Sequence, residues 1–388
     1  PTTPSAPPPT TSTPDLGTGT KPKTSQPSFE DWTFWYHNNK ADIENLKAAI
    51  YSLHSSENPL FASGNENDTN VTGATRVTQR RVKDVVIPAL IWAMDKKNSG
   101  HQDTESAAYI ALAKIARDPV HIETIKSGLD KARKLDLIVQ ESAALGLGLL
   151  RRARPEDQFT ARELDKVREF LFQVFEDDAY QARTRGFAAM ALGLLGDQPT
   201  GSGTYSGDAN AAARATTQRL FELLKASYTN QDLYVGLLSA IGLQPATSVT
   251  AEERAILADA AYKGRLFKER VNDLIRSYAA HSLGRIGTRN DIKTLENILT
   301  ARRGMSKNVQ RSAAIGLGLL GRLVDGDARV DVAKVLIRSF EKLKDNSTKN
   351  FALMSLAYLL IDDIESQKTD VLGNTQADEL ILAEAEKG

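Results

Sequence analysis

One phrase recurs along this chain and limits what it can fold into. It reads "ESAAYIALAKIA" at 105 to 116, "ESAALGLGLLRR" at 141 to 152, "GFAAMALGLLG" at 186 to 196, "RSYAAHSLGRIG" at 276 to 287 and "RSAAIGLGLLG" at 311 to 321. Each copy has a small pair, then a leucine, then a glycine or alanine, then an aliphatic residue. Two looser copies, "YVGLLSAIGL" (234 to 243) and "FALMSLAYLL" (351 to 360), keep the frame. With the late small residue as marker, the copies fall at Ala113, Gly148, Gly193, Gly242, Gly284, Gly318 and Ala357, at separations of 35, 45, 49, 42, 34 and 39. That period is the length of a helix pair, so the chain is a repeat array.

Between most markers lies a second apolar series at helical spacing: Ile122, Ile125 and Leu129; Leu164, Val167, Leu171 and Val174; Leu220, Leu223 and Leu224; Ile292, Leu295, Ile298 and Leu299; Val332, Val335, Leu336 and Phe340. No segment alternates apolar and polar residues as a half-buried strand does. A glycine inside a helix costs about 1 kcal/mol against alanine, so its return at one register needs a packing reason. Close approach of neighbouring helices supplies one. The expected fold is an all-α α-solenoid of about seven helix pairs over 80–388, with a disordered N-terminal tail.

That tail, 1–28, holds eight of the 14 prolines among threonines and serines and has almost no large apolar residue. A disordered tether is expected. Segment 29–56 follows, with Trp32, Trp35, Tyr36, Ile43, Leu46, Ile50 and Leu53 at helical spacing and Ser28 as its N-cap. Arrays need an atypical end unit, so Trp32, Trp35 and Tyr36 are expected to cap the first repeats; the rival reading makes them a docking site. A polar loop spans 57–79.

Lys plus Arg and Asp plus Glu are both 49, and no global basic field draws the chain to nucleic acid or anionic lipid. There is no cysteine, which removes disulfides, thiolate nucleophiles and cysteine-bound metals. No apolar run reaches the roughly 20 residues of a transmembrane helix. The Pro/Thr-rich start and a first residue other than Met lead us to expect export to the cell envelope, the alternative being a soluble cytoplasmic protein.

The frame R-S-x-A-A-x-x-L-G-x-I/L-G, as in "RSYAAHSLGRIG", resembles the HEAT-like repeats of the phycobilisome-lyase type over roughly 80 to 362. The Pro-rich tail, aromatic helix and repeats together resemble uncharacterised exported bacterial HEAT-repeat proteins. The first resemblance implies an armadillo-like α-solenoid. The second implies no activity.

"GLGLLG" (Gly316, Gly318, Gly321) satisfies GxGxxG but lies inside a repeat helix, without the strand before it that a dinucleotide site needs. "GSGTYSGDA" (201 to 209) reads as a loop tip, "EDD" (176 to 178) and "IDDIE" (361 to 365) as helix ends, and "LVDGDARVD" (323 to 331) as a turn without calcium-loop spacing. None of the five histidines forms HExxH or the His-Glu pair by which the similarly built deoxyhypusine hydroxylases hold iron. No cofactor and no metal is expected.

HEAT-like DNA glycosylases hold DNA on a basic face. The candidates here, Arg162, Lys166, Arg219, Lys293, Lys334 and Arg338, are interleaved with Asp165, Glu169, Glu222, Glu296 and Glu341. Mixed charge at these spacings is the dress of a solvated helix and argues against nucleic acid. The expected function is therefore a non-enzymatic scaffold binding a protein or peptide along the concave face, with those six cations as contact residues. The alternatives are a lyase or chaperone-like protein acting on a bound cofactor, as the phycobilisome-lyase resemblance implies, and a nucleic-acid-binding protein.

Overall fold

The computed structural model describes residues 79–115, 118–150, 159–196 and 207–365, all within one compact unit, Thr75–Gly388. The tail 1–28, the aromatic segment 29–56 with Trp32, Trp35 and Tyr36, and the loop up to residue 78 lie outside the described residues.

The unit is an all-α solenoid in which the marker residues sit on every second helix. These are α2 (Gln102–Ile115), α4 (Leu137–Leu149), α6 (Ala182–Gly196), α8 (Gln231–Gly242), α10 (Asp273–Ile286), α12 (Lys307–Leu323) and α14 (Asn346–Glu365). Each is preceded by a partner: α1 (Ile87–Ala93), α3 (Val120–Lys126), α5 (Ala161–Glu176), α7 (Gly207–Leu224), α9 (Ala251–Lys263), α11 (Ile292–Leu299) and α13 (Gly326–Lys342). A π-helical turn, Val82–Val86, leads into α1.

Local sequence starts these helices. Capping boxes, Thr160 with Glu163 and Thr250 with Glu253, open α5 and α9, while Asn230, Asn272 and Ser306 cap α8, α10 and α12. Each cap satisfies amides that the first turn leaves without a partner.

The even helices stack directly on one another. At each step the marker meets the residue two places before the next marker. A Cβ on Gly148 would lie 2.7 Å from Ala191 Cα, one on Gly193 2.6 Å from Ala240 Cα, and one on Gly284 2.3 Å from Gly316 Cα. On Gly318 it would lie 2.8 Å from Ser355 Cβ. The receiving position is small throughout: Gly146, Ala191, Ala240, Ser282, Gly316 and Ser355, with Ala111 in the first unit. Between the two small residues sits one aliphatic, Leu112, Leu147, Leu192, Ile241, Leu283, Leu317 or Leu356, at most 1% exposed. Each contributes about 1.5–3 kcal/mol of burial, and the small residues let it reach the core.

Two features depart from the sequence reading. It names no partner helix between Gly242 and Gly284, where the structure has α9, whose buried positions are Glu253, Leu257, Ala260 and Ala261. Alanines replace the large residues that make a helix visible by its periodicity. The other is a two-stranded hairpin, β1 (Arg265–Leu266) and β2 (Glu269–Arg270), inserted between α9 and α10. Strands of two residues are too short to alternate.

Candidate binding surfaces

The six predicted contact cations all lie on odd helices. Arg219 is held by Glu169 Oε2 at 2.8 Å and Glu176 Oε1 at 3.0 Å, and its guanidinium stacks 4.0 Å from the Phe172 ring centroid. Burial works against its charge, but the two carboxylates win and raise its pKa. Two others gather around one carboxylate: Lys293 Nζ and Arg338 Nη2 lie 2.8 and 3.7 Å from Glu296, while Lys334, exposed, lends only its backbone carbonyl to Arg338 Nε. Arg162 and Lys166 are exposed on the first turns of α5 and join neither group. Half of this cationic set, Arg219, Lys293 and Arg338, is thus paired with acids of the odd helices.

The even helices present a different surface. Counting from each marker, the positions 10, 6 and 3 before it and 1 after it fall on one stripe, and most are only half-buried. In α4 the stripe is Ile138, Ser142, Leu145 and Leu149; in α6 it is Arg183, Phe187, Met190 and Leu194; in α12 it is Asn308, Ser312, Ile315 and Leu319. The central rows are largely apolar from Ile110 in α2 to Met354 and Tyr358 in α14. His281 of α10 sits in the same row as Leu145, Met190 and Ile315. Burial, with the charge of Arg285 one turn away, pushes its pKa down to about 4, so the imidazole is neutral at pH 7.

Polar groups collect where the even helices begin. Glu105 is fully buried, with neither carboxylate oxygen hydrogen-bonded, and burial raises its pKa. Glu141 is raised by the same cause; Arg183 Nε lies 2.9 Å from its Oε1, an ion pair without hydrogen-bond alignment. Ser106 and Ser142 share a 2.5 Å hydrogen bond between them. Further along this end, a cleft of about 570 Å³ opens between the 227–232 loop and the hairpin, lined by Tyr228, Asn230, Asp232, Tyr234, Arg270 and Asn272 among others. Tyr228 closes its floor by edge-on contacts with Phe175 and Tyr234, at centroid distances of 6.0 and 5.3 Å.

Among the described residues no three His, Asp or Glu side chains converge as a metal site, and no helix is long and apolar enough to cross a membrane. Sequence reasoning missed both the apolar stripe and the hairpin end. The stripe had a signal, since its residues keep a fixed offset from the markers.

No known family model and no curated protein matches the chain. Among solved structures it is similar to two engineered proteins from the Northeast Structural Genomics Consortium. One is 18% identical with a TM-score of 0.30, over 71% of this chain and 96% of that one. The other is 17% identical with a TM-score of 0.37, over 88% of this chain and 92% of that one. Likeness at this level carries nothing about function.

Proposed function

We propose that the chain is a non-enzymatic scaffold that binds a protein segment along the apolar stripe of the even helices. One observation carries the reading. Stacked repeats hold half-buried Ile110, Leu145, Met190, Ile315 and Met354 in one row, crossed by Ser239 and His281 in its middle, whereas on the odd layer Arg219, Lys293 and Arg338 are engaged in ion pairs. A row of large apolar groups that the fold itself leaves partly open fits a segment with its own apolar residues at i, i+3, i+4 and i+7. His281 adds a neutral donor and acceptor within the row, which suits recognition of a backbone or hydroxyl group.

The test is selection of a random 12-residue peptide library on the full chain. Enrichment of peptides with apolar residues three and four apart, abolished by Met190→Asp with Ile315→Asp, is the expected result. Selection that is indifferent to those two substitutions overturns the reading.

A further inference from the structure

The hairpin and the next inter-helix loop form a cationic, aromatic corner that the stripe does not use. Arg265, Lys268 and Arg270 on the hairpin and Arg302 and Arg303 in the 300–306 loop are all exposed, and none has an ion-pair partner among the described residues. Arg276 links the end of α9, just before the hairpin, to that loop: its Nε donates to the Ala261 carbonyl at 3.2 Å, and its Nη2 lies 3.1 Å from the Tyr262 carbonyl and 2.8 Å from Met305 Sδ. The corner is cationic in sum: 297–324 contains Arg302, Arg303, Lys307, Arg311 and Arg322 and neither Asp nor Glu, and the hairpin sets Glu269 alone against Arg265, Lys268 and Arg270.

At the hairpin tip stands Phe267, 37% exposed, with φ at 52°. Its partner at the turn, Lys268, is not left-handed, so the turn asks for a left-handed first residue, the place where glycine is favoured. A bulky residue adopts that conformation only under constraint. The ring therefore stands at an exposed, strained tip beside Arg265, Lys268 and Arg270, where it is open to contact by a partner.

We propose that this corner binds a short acidic segment of a protein partner, its carboxylates on the four arginines and Lys268 and an apolar residue against Phe267. Guanidinium groups match carboxylates in paired hydrogen bonds, and four of the five cations are arginine. The size of the window excludes the wider anionic partners. Neighbouring helices stack roughly 10 Å apart, so two adjacent loops suit an extended peptide of about six residues. At the same end the next loop carries Asp345, Asp232 lies across the cleft on the other side of the hairpin, and Asp177 and Asp178 sit one loop further back. A polynucleotide track or a flat anionic membrane would have to run over those acids, and a short peptide need not.

The inference rests on reading the array as a protein-binding scaffold, but it concerns a separate surface with a separate test. The probe is a labelled peptide, Glu-Glu-Leu-Glu-Glu-Tyr, titrated into the full chain by fluorescence anisotropy at low salt. Beside it run the peptide with glutamine for glutamate, a single-stranded 12-nucleotide oligomer and phosphatidylserine vesicles. The acidic peptide is expected to bind, with affinity falling about tenfold in Arg302→Glu with Arg303→Glu and again in Arg265→Glu with Lys268→Glu. Phe267→Asn, which suits a left-handed turn, is expected to raise the melting temperature while weakening the peptide, a pairing that a merely structural phenylalanine would not give. Met190→Asp with Ile315→Asp leaves this titration unchanged, so failure of the stripe and failure of the corner are told apart. Equal binding of the glutamine peptide, indifference to charge reversal, or a preference for the oligomer or the vesicles overturns the proposal.

Discussion

The even and odd layers are built from one repeat and solve opposite problems. Even helices approach so closely that a Cβ on Gly284 would lie 2.3 Å from Gly316 Cα, and they leave an apolar stripe half-open. Odd helices touch one another little and rely on large side chains inward and ion pairs outward, as in α5 and α7, where Arg219 joins Glu169 and Glu176. The stack is held by its smallest residues, and its charged dress is a secondary contribution. Adding volume to the even layer should therefore cost far more than removing charge from the odd one.

The largest expected effect follows from that. Gly284→Ala should cost about 2–3 kcal/mol and Gly284→Leu should prevent folding of the array, because the atoms opposite are backbone and cannot swing aside. Urea denaturation followed by circular dichroism measures both, and a loss under about 0.5 kcal/mol for alanine would mean that the helices separate freely.

Acid should act on the even layer next. An unfolded histidine titrates near pH 6.5 and folded His281 near 4, so between those values the unfolded chain holds the extra proton and stability falls as pH is lowered. The contribution is intact above about pH 7 and lost below about pH 4, at most about 3 kcal/mol. Glu105 and Glu141, both raised by burial, tilt the profile the other way: they favour the fold when protonated and lose that advantage as pH rises through their folded values. His281→Met isolates the imidazole by flattening the acid limb of a pH series of melting curves.

The smallest effects belong to the odd exterior. Arg219→Ala should cost about 1 kcal/mol, mostly through its stack on Phe172, and Lys293→Ala no more than about 0.5 kcal/mol. Thermal melts of the two variants beside Gly284→Ala would rank the layers. An Arg219→Ala loss as large as that of Gly284→Ala would erase the distinction drawn between them.

Much of the fold was legible because the repeat writes its constraints at fixed positions. The small residues at 148, 193, 242, 284 and 318 mark where helices cross, and the intervening leucines mark the core. Helix α9 was not legible, since it packs through Ala260 and Ala261 and has only Leu257 as a large buried apolar residue. The helix surfaces were less legible. The cations of the odd helices could be named but not their occupants: whether Lys293 is free depends on where Glu296 and Arg338 come to rest.

By itself, then, the sequence determined the all-α repeat, its period and the register of its crossings, because each is enforced within a few residues by helix geometry and side-chain size. Only the tertiary structure decided which stripe stays open and which cations stand together. Ile138, Phe187 and Ile315 share a face because stacking repeats one helix orientation. Arg265 and Arg302 stand on successive inter-helix connections at one end, where Arg276 ties the end of α9 to Met305. Such contacts join residues far apart along the chain, and their partners are set by packing, to which local spacing is blind.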